Sequence, residues 1–132
     1  MIDQNLVNRA FKNLENAYVP YSHYRVGACV ETKQGEFFDG ANIENASYGL
    51  TNCAERSAIF AAYSKGIRKE DIKALAIVCE GNTIAAPCGA CRQVLVELLK
   101  KDTPIYLANR KEQLETTISQ LLPLSFTSED LE

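Results

Sequence analysis

The segment PCGAC at residues 87–91 places Cys88 and Cys91 three positions apart. At the start of a helix, that spacing turns both sulfurs to one face. Such a pair is either a redox dithiol or half of a zinc site, and a third thiol separates the two chemistries. Cys53 is the candidate third thiol, since it too opens a helical pattern. Three thiolates on one zinc, each at about 2.3 Å, must lie within roughly 4 Å of one another, and two helix N-termini meeting at one point achieve this. Those termini also favour the thiolate form. Three protein ligands leave the fourth tetrahedral position to water, as in catalytic rather than closed structural sites. Glu55, two residues after Cys53, has the reach and chemistry of a general acid/base beside that water. Taken alone, it would be read as complementing the helix dipole. Three thiolates leave a divalent zinc centre net negative, and Arg56 is placed to offset that charge. Its competing reading is a surface ion pair. Cys29 and Cys79, inside strand patterns, read as buried small hydrophobes, and His23 reads as a solvated loop residue.

The elements that must position these groups follow from periodicity. Asp3 is a candidate cap for a helix whose apolar residues Leu6, Val7, Ala10, Phe11, Leu14, Ala17 and Tyr18 share helical spacing, with Pro20 as its stop. Val26, Ala28 and Val30 then alternate with Gly27, Cys29 and Glu31 up to a Lys33–Glu36 turn, and a second strand follows over 37–41, which predicts a hairpin. Residues 42–52 are polar and irregular. A helix is predicted from Cys53 to Ser64 with Gly66 at its end, and Ala54, Ala58, Ala61 and Ala62 are small enough to let another helix come close. Residues 73–79 form an apolar run suited to a strand covered on both faces. A loop over 80–87 precedes a helix carrying Cys91, Val94, Leu95, Leu98 and Leu99 on one face, then strands near 104–108 and 113–116. Thr117 and Gln120 suggest a capping box for a short helix that Pro123 stops. The pattern predicts one α/β domain over 1–132, with about five strands and helices on both faces of the sheet.

The 132 residues are enough to bury a core, and 46% hydrophobic with 23% charged residues is an ordinary globular composition. The longest apolar runs, 58–63 and 74–79, fall far short of the roughly 20 residues a membrane helix needs. The amphipathic N-terminus lacks a secretory pattern, so the expected location is the cytoplasm, without membrane association. A net charge of −3 disfavours nucleic acid as a partner. Five cysteines in a reducing compartment point to metal or thiolate chemistry rather than disulfides.

The segments CAE at 53–55 and PCGACRQ at 87–93 resemble the zinc signature of the cytidine deaminases, in the short-chain form whose three zinc ligands are all Cys. PYSHYRVGA at 20–28, GANIENASYG at 40–49 and LLPLSFTSEDL at 121–131 extend the resemblance over nearly the whole chain. It implies a three-layer α/β/α domain with a mixed sheet, and one zinc per chain held by Cys53, Cys88 and Cys91. It further implies hydrolytic deamination of cytidine and deoxycytidine for pyrimidine salvage, with Glu55 carrying protons between water, N3 of the base and the departing amine. Asn42 and Glu44 match the positions that bind ribose hydroxyls, and the Ala54 backbone matches a contact to the base. Tyr24 and Phe126 match aromatic rings around the pyrimidine, the latter contributed by a neighbouring subunit of a homotetramer with shared active sites. Arg56 matches a donor to the ligand sulfurs.

Two positions depart from the family pattern. Tyr24 stands where Phe is common, so its hydroxyl must face water or find a partner, and Cys29 stands where Ala is common. Three rival readings remain: deamination of another cytosine nucleoside such as an aminoacyl-nucleoside antibiotic, editing of nucleic acid, and a structural zinc site in a binding module.

Overall fold

Strand β3 (Ile72–Cys79) is the middle of a five-stranded sheet in a computed structural model that describes residues 1–131. Its near-continuous apolar sequence suits a strand covered on both faces, and every residue except Lys73 is buried. It pairs antiparallel with β1 (Val26–Thr32) and parallel with β4 (Ile105–Ala108). Strands β2 (Phe37–Ala41) and β5 (Gln113–Thr116) flank these, both antiparallel, in the order β2-β1-β3-β4-β5. The expected mixed sheet of five strands is present, and Gly35 takes the left-handed conformation (φ 89°) in the hairpin turn.

Alternation along β1 predicts one buried and one exposed face, whereas all its residues beyond Val26 are buried. The reason is that both faces are covered. Helix α1 (Gln4–Lys12) lays Leu6, Val7 and Ala10 against Cys29, Ala74, Ala76, Val78 and Tyr106. On the other face, Ala54, Ala58 and Ile59 of helix α2 (Ala54–Ser64) and Leu95 of helix α3 (Gly89–Leu98) meet Ala28, Val30, Leu75, Ile77 and Leu107. Successive strand residues thus serve opposite cores, which gives the α/β/α layering.

The small residues Ala54, Ala58 and Ala62 of α2 lie in one core cluster with Leu95 of α3, in keeping with the expectation that they admit a second helix, and they also serve the sheet. A Cβ on Gly40 would collide with the Ala54 carbonyl and the Ala58 backbone nitrogen, so Gly40 and these alanines seat α2 directly on β2. Glycine there fixes the depth at which the start of α2, and with it Cys53 and Glu55, sits over the sheet.

Helix α1 begins as expected, with the Asp3 carboxylate accepting from the Asn5 and Leu6 N–H groups. Its end differs. The helix stops at Lys12 and tightens into a 3₁₀ turn over Asn13–Asn16, well before Pro20. Asn13 Nδ2 donates to the Ala28 carbonyl and to Asp39 Oδ1, both at 2.9 Å, so the chain turns to keep that buried amide satisfied. Tyr18 then runs alongside residues 42–44, donating to the Asn42 carbonyl at 2.9 Å and accepting from the Glu44 N–H at 2.8 Å. The capping box expected at Thr117 and Gln120 does not form. Gln120 Oε1 instead accepts from the Thr116 hydroxyl at 2.9 Å, and the Thr117 hydroxyl pairs with Ser119 at 3.0 Å. Among the described residues, no helix is long and apolar enough to cross a membrane.

Candidate active site

Cys53 and Cys88 are the N-cap residues of α2 and α3, and neither uses its side chain to cap its helix. Their sulfurs are left to face outward from two helix starts that converge. Cys91, in the first turn of α3, is fully buried beside them. The three sulfurs lie within 4.8 Å of one another. A tetrahedral zinc with bonds of about 2.3 Å asks for separations of about 3.8 Å, so a contraction within ordinary side-chain freedom closes the set around the ion. The donor set therefore fits zinc. No fourth His, Cys, Asp or Glu among the described residues joins the three within that limit, which leaves one tetrahedral position to a non-protein ligand.

Electrostatics favour thiolate at this point. The Cys53 thiol is held down to about 5, chiefly by hydrogen bonding with Cys91 and then, against its own burial, by the Arg56 guanidinium. Cys91 is pushed the other way by its bond to Cys53 and by burial. Glu55 is 4% exposed. Burial pushes its carboxyl above the usual range, and the negative charge of Cys53 adds to this, against stabilisation from its own backbone N–H. A carboxyl raised in this way holds its proton more firmly than an exposed one, which suits a group that must take up a proton and give it back. Arg56 Nη2 donates to Cys53 Sγ at 3.3 Å, and no carboxylate among the described residues pairs with it. Of the two readings of Arg56, the surface ion pair is thus absent and the contact to the ligand sulfur is present.

Of the remaining expected residues, Tyr24, Asn42 and Glu44 gather around the Pro20–Arg25 turn and the 42–44 segment. Glu44 is buried, and its Oε1 accepts from the Tyr21 and Ser22 N–H groups, both at 3.1 Å, while Oε2 accepts from the Ser22 hydroxyl. The Ser22 hydroxyl, with these N–H donors, holds the Glu44 carboxyl below its ordinary range despite burial. Asn42 Nδ2 donates to the Tyr24 carbonyl at 2.8 Å and its Oδ1 accepts from the Val26 N–H at 3.0 Å. Asn42 therefore shapes this loop as well as standing beside it. Ala54 opens α2 between Cys53 and Glu55, fully buried. His23 is exposed, as expected, and takes a left-handed conformation (φ 58°). Phe126 lies on the surface, 59% exposed, and its carbonyl accepts from Gln93 Nε2 at 2.9 Å.

Two residues gained a part that their sequence positions did not announce. Cys79 is buried like a small hydrophobe, but its thiol also donates to the Thr83 carbonyl at 3.4 Å and borders the Tyr24 hydroxyl. The extra hydroxyl of Tyr24 thus lies near a sulfur, on a residue that is 41% exposed. Partial burial and the Cys79 sulfur push it up to about 12. The Tyr24 ring edge also lies against Gly81, where a Cβ would stand 3.1 Å from Cε1. Ser22 is the second such residue; a hydroxyl two positions before an aromatic ring in a Pro-initiated turn was the available signal.

Known proteins are similar to this chain in sequence and in fold. Residues 1–107 match the family model for the cytidine and deoxycytidylate deaminase zinc-binding region. A cytidine deaminase of Halalkalibacterium halodurans is 53% identical over 129 residues, covering 97% of this chain and 96% of that protein. One from Sporosarcina psychrophila is 46% identical over 129 residues, covering 97% and 93%. The crystal structure of cytidine deaminase from Burkholderia pseudomallei superposes with a TM-score of 0.91 at 45% identity, covering 96% of this chain and 100% of that one. With the family model spanning both helix starts that carry the thiols, and with sequence and fold similarity running almost end to end, the chain belongs to the cytidine and deoxycytidylate deaminase family.

Proposed function

We propose that this protein catalyses the zinc-dependent hydrolytic deamination of cytidine and deoxycytidine, releasing ammonia and leaving the uracil nucleoside. The observation that carries this reading is the convergence of Cys53, Cys88 and Cys91 within 4.8 Å, with buried Glu55 in the same turn as Cys53. Cys53, Cys88 and Cys91 hold one zinc per chain. Bound there, zinc supplies Lewis-acid activation of a water at neutral pH.

The chain's own residues do the rest. Glu55 would take a proton from the attacking water and deliver it to N3 of the cytosine ring as the water's oxygen bonds to C4. Glu55 would then take the remaining proton from that oxygen and pass it to the amine, so that C4 gains its carbonyl oxygen as the C4–N4 bond breaks and ammonia leaves. The Ala54 backbone contacts the base, and Tyr24 flanks it from the Pro20–Arg25 turn. Asn42 and Glu44 bind the sugar hydroxyls; an ionised carboxylate accepts from hydroxyls and repels a 5′-phosphate. The exposure of Phe126 supports its contribution to a neighbouring subunit's site, in a homotetramer with shared active sites. The activity serves pyrimidine salvage in the cytoplasm.

A structural zinc site would need a fourth protein ligand, and the three-donor set supports an open one. Ultraviolet assays with cytidine, cytosine and cytidine monophosphate in parallel, alongside metal analysis, test the reading. Ammonia release from cytidine with one zinc per chain is expected. Zinc binding without turnover would leave the structural-site reading in its place.

A further inference from the structure

Glu44 is offered to the substrate by a neighbour rather than by its own backbone. An ionised carboxylate has about four acceptor positions. Three are filled here: Oε1 accepts from the Tyr21 and Ser22 N–H groups, and Oε2 accepts from the Ser22 hydroxyl. The same Ser22 hydroxyl accepts from the Tyr24 N–H at 3.0 Å. One side-chain oxygen therefore joins a buried carboxylate to the backbone of the aromatic residue two positions on.

The intervening turn leaves this oxygen little choice of place. His23 takes a left-handed conformation (φ 58°), and its N–H donates to the Val19 carbonyl at 3.0 Å. Asn42 separately holds the Tyr24 carbonyl and the Val26 N–H. With both ends of the turn held, the Ser22 hydroxyl is the link between Glu44 and the ring.

We propose that Ser22 is a positioning residue for the nucleoside. Its hydroxyl orients the Glu44 carboxylate so that one acceptor site stays open for a sugar hydroxyl, and fixes that site relative to the Tyr24 ring beside the base. This rests on the reading of Glu44 as an acceptor for the sugar hydroxyls.

The test compares wild type, Ser22→Ala and Ser22→Thr on cytidine and on 2′,3′-dideoxycytidine, which lacks both ring hydroxyls, with zinc content and Tm measured in parallel. A hydrogen bond to a charged group corresponds to about ten-fold or more in affinity, so Ser22→Ala should raise KM for cytidine on the order of ten-fold while kcat, zinc and Tm stay near wild type. On dideoxycytidine the same variant should lose little, and Ser22→Thr, which keeps the hydroxyl, should behave as wild type on both. A wild type that prefers cytidine, combined with an Ala variant that loses equally on both substrates or on neither, overturns the role of Ser22 alone. A wild type that uses both nucleosides equally overturns the reading of Glu44, and Ser22 with it. Should Ser22→Ala fail to fold, the isosteric, weaker donor of Ser22→Cys must show the same substrate-dependent rise in KM.

Discussion

Arg56 donates through Nη2 to the Cys53 sulfur at 3.3 Å, so the cation stands one helical turn from the thiol it serves. Its Nε is buried without a partner, which leaves the sulfur-facing donor as the guanidinium's side-chain hydrogen bond among the described residues. A hydrogen bond to a charged group is worth about 1.5–3 kcal/mol, whereas exposed ion pairs contribute about 0–1 kcal/mol. Arg56→Ala should therefore lose zinc to a chelator roughly 10- to 100-fold faster than wild type. Arg56→Gln, which keeps donors without charge, should fall between. Identical release rates in all three proteins would place Arg56 outside the metal's environment.

Glu55→Gln should keep zinc and Tm while losing most turnover. The amide matches the carboxyl in shape and cannot move a proton, and a general acid/base contributes about 10² to 10⁴ in rate. Zinc analysis beside steady-state kinetics checks both halves. Turnover near wild type would return Glu55 to complementing the helix dipole.

The cysteine cluster was legible because its chemistry is written in short spacings. Cys88 and Cys91 are three residues apart at one helix start, so local periodicity turns two sulfurs to one face, whereas Cys53 opens another helix and the family resemblance, not periodicity, joined it to them. What stayed hidden depends on distant partners. Helix α1 ends early because Asn13 reaches Ala28 and Asp39, 15 and 26 positions away. Glu44 is held by Ser22, 22 positions away, and the Thr117 cap was displaced when Gln120 turned to Thr116. The full burial of β1 was likewise invisible to alternation, because only tertiary packing decides whether the second face of a strand is covered.

Substrate choice should follow Glu44. Its carboxyl is held below the ordinary range by Ser22 and is ionised at neutral pH, so it welcomes hydroxyls and repels phosphate. Cytidine and deoxycytidine should be turned over well, with free cytosine and the 5′-monophosphate poor. Equal kcat/KM on cytidine and its monophosphate, measured side by side, would remove the case for nucleoside specificity.

The C-terminal segment carries Leu124, Phe126 and Leu131 on the surface, an arrangement that a partner chain would cover. Truncation before Ser125 should lower activity and weaken self-association together, as read by light scattering and kinetics on the same samples. A truncated monomer with full activity would show that each chain's site is complete by itself.

Glu31 carries a conflict unrelated to the site, and it makes the fold sensitive to pH. It lies in β1 with 9% exposure, Oε1 has no partner, and Lys73 Nζ stands 3.7 Å from Oε2 on an exposed side chain. Burial pushes its carboxyl above the ordinary range, with Asp3 adding to the effect and Lys73 opposing it. A carboxyl raised in the folded state binds its proton more tightly there than in the unfolded chain. Its stabilising contribution is therefore complete below the unfolded value of about 4.3 and is lost as pH rises through the folded value. At pH 7, above the unfolded value, this raised carboxyl works against folding, so Glu31→Gln should raise Tm there by a few degrees, since ~1 kcal/mol moves Tm by about 4 °C in a domain of this size. The gain should shrink as pH falls and wild-type Glu31 takes up its own proton. Thermal melts of both proteins across pH 4 to 8 decide the matter: a variant less stable at pH 7, by a margin that grows with pH, would show that the Lys73 contact outweighs the cost of burying the charge.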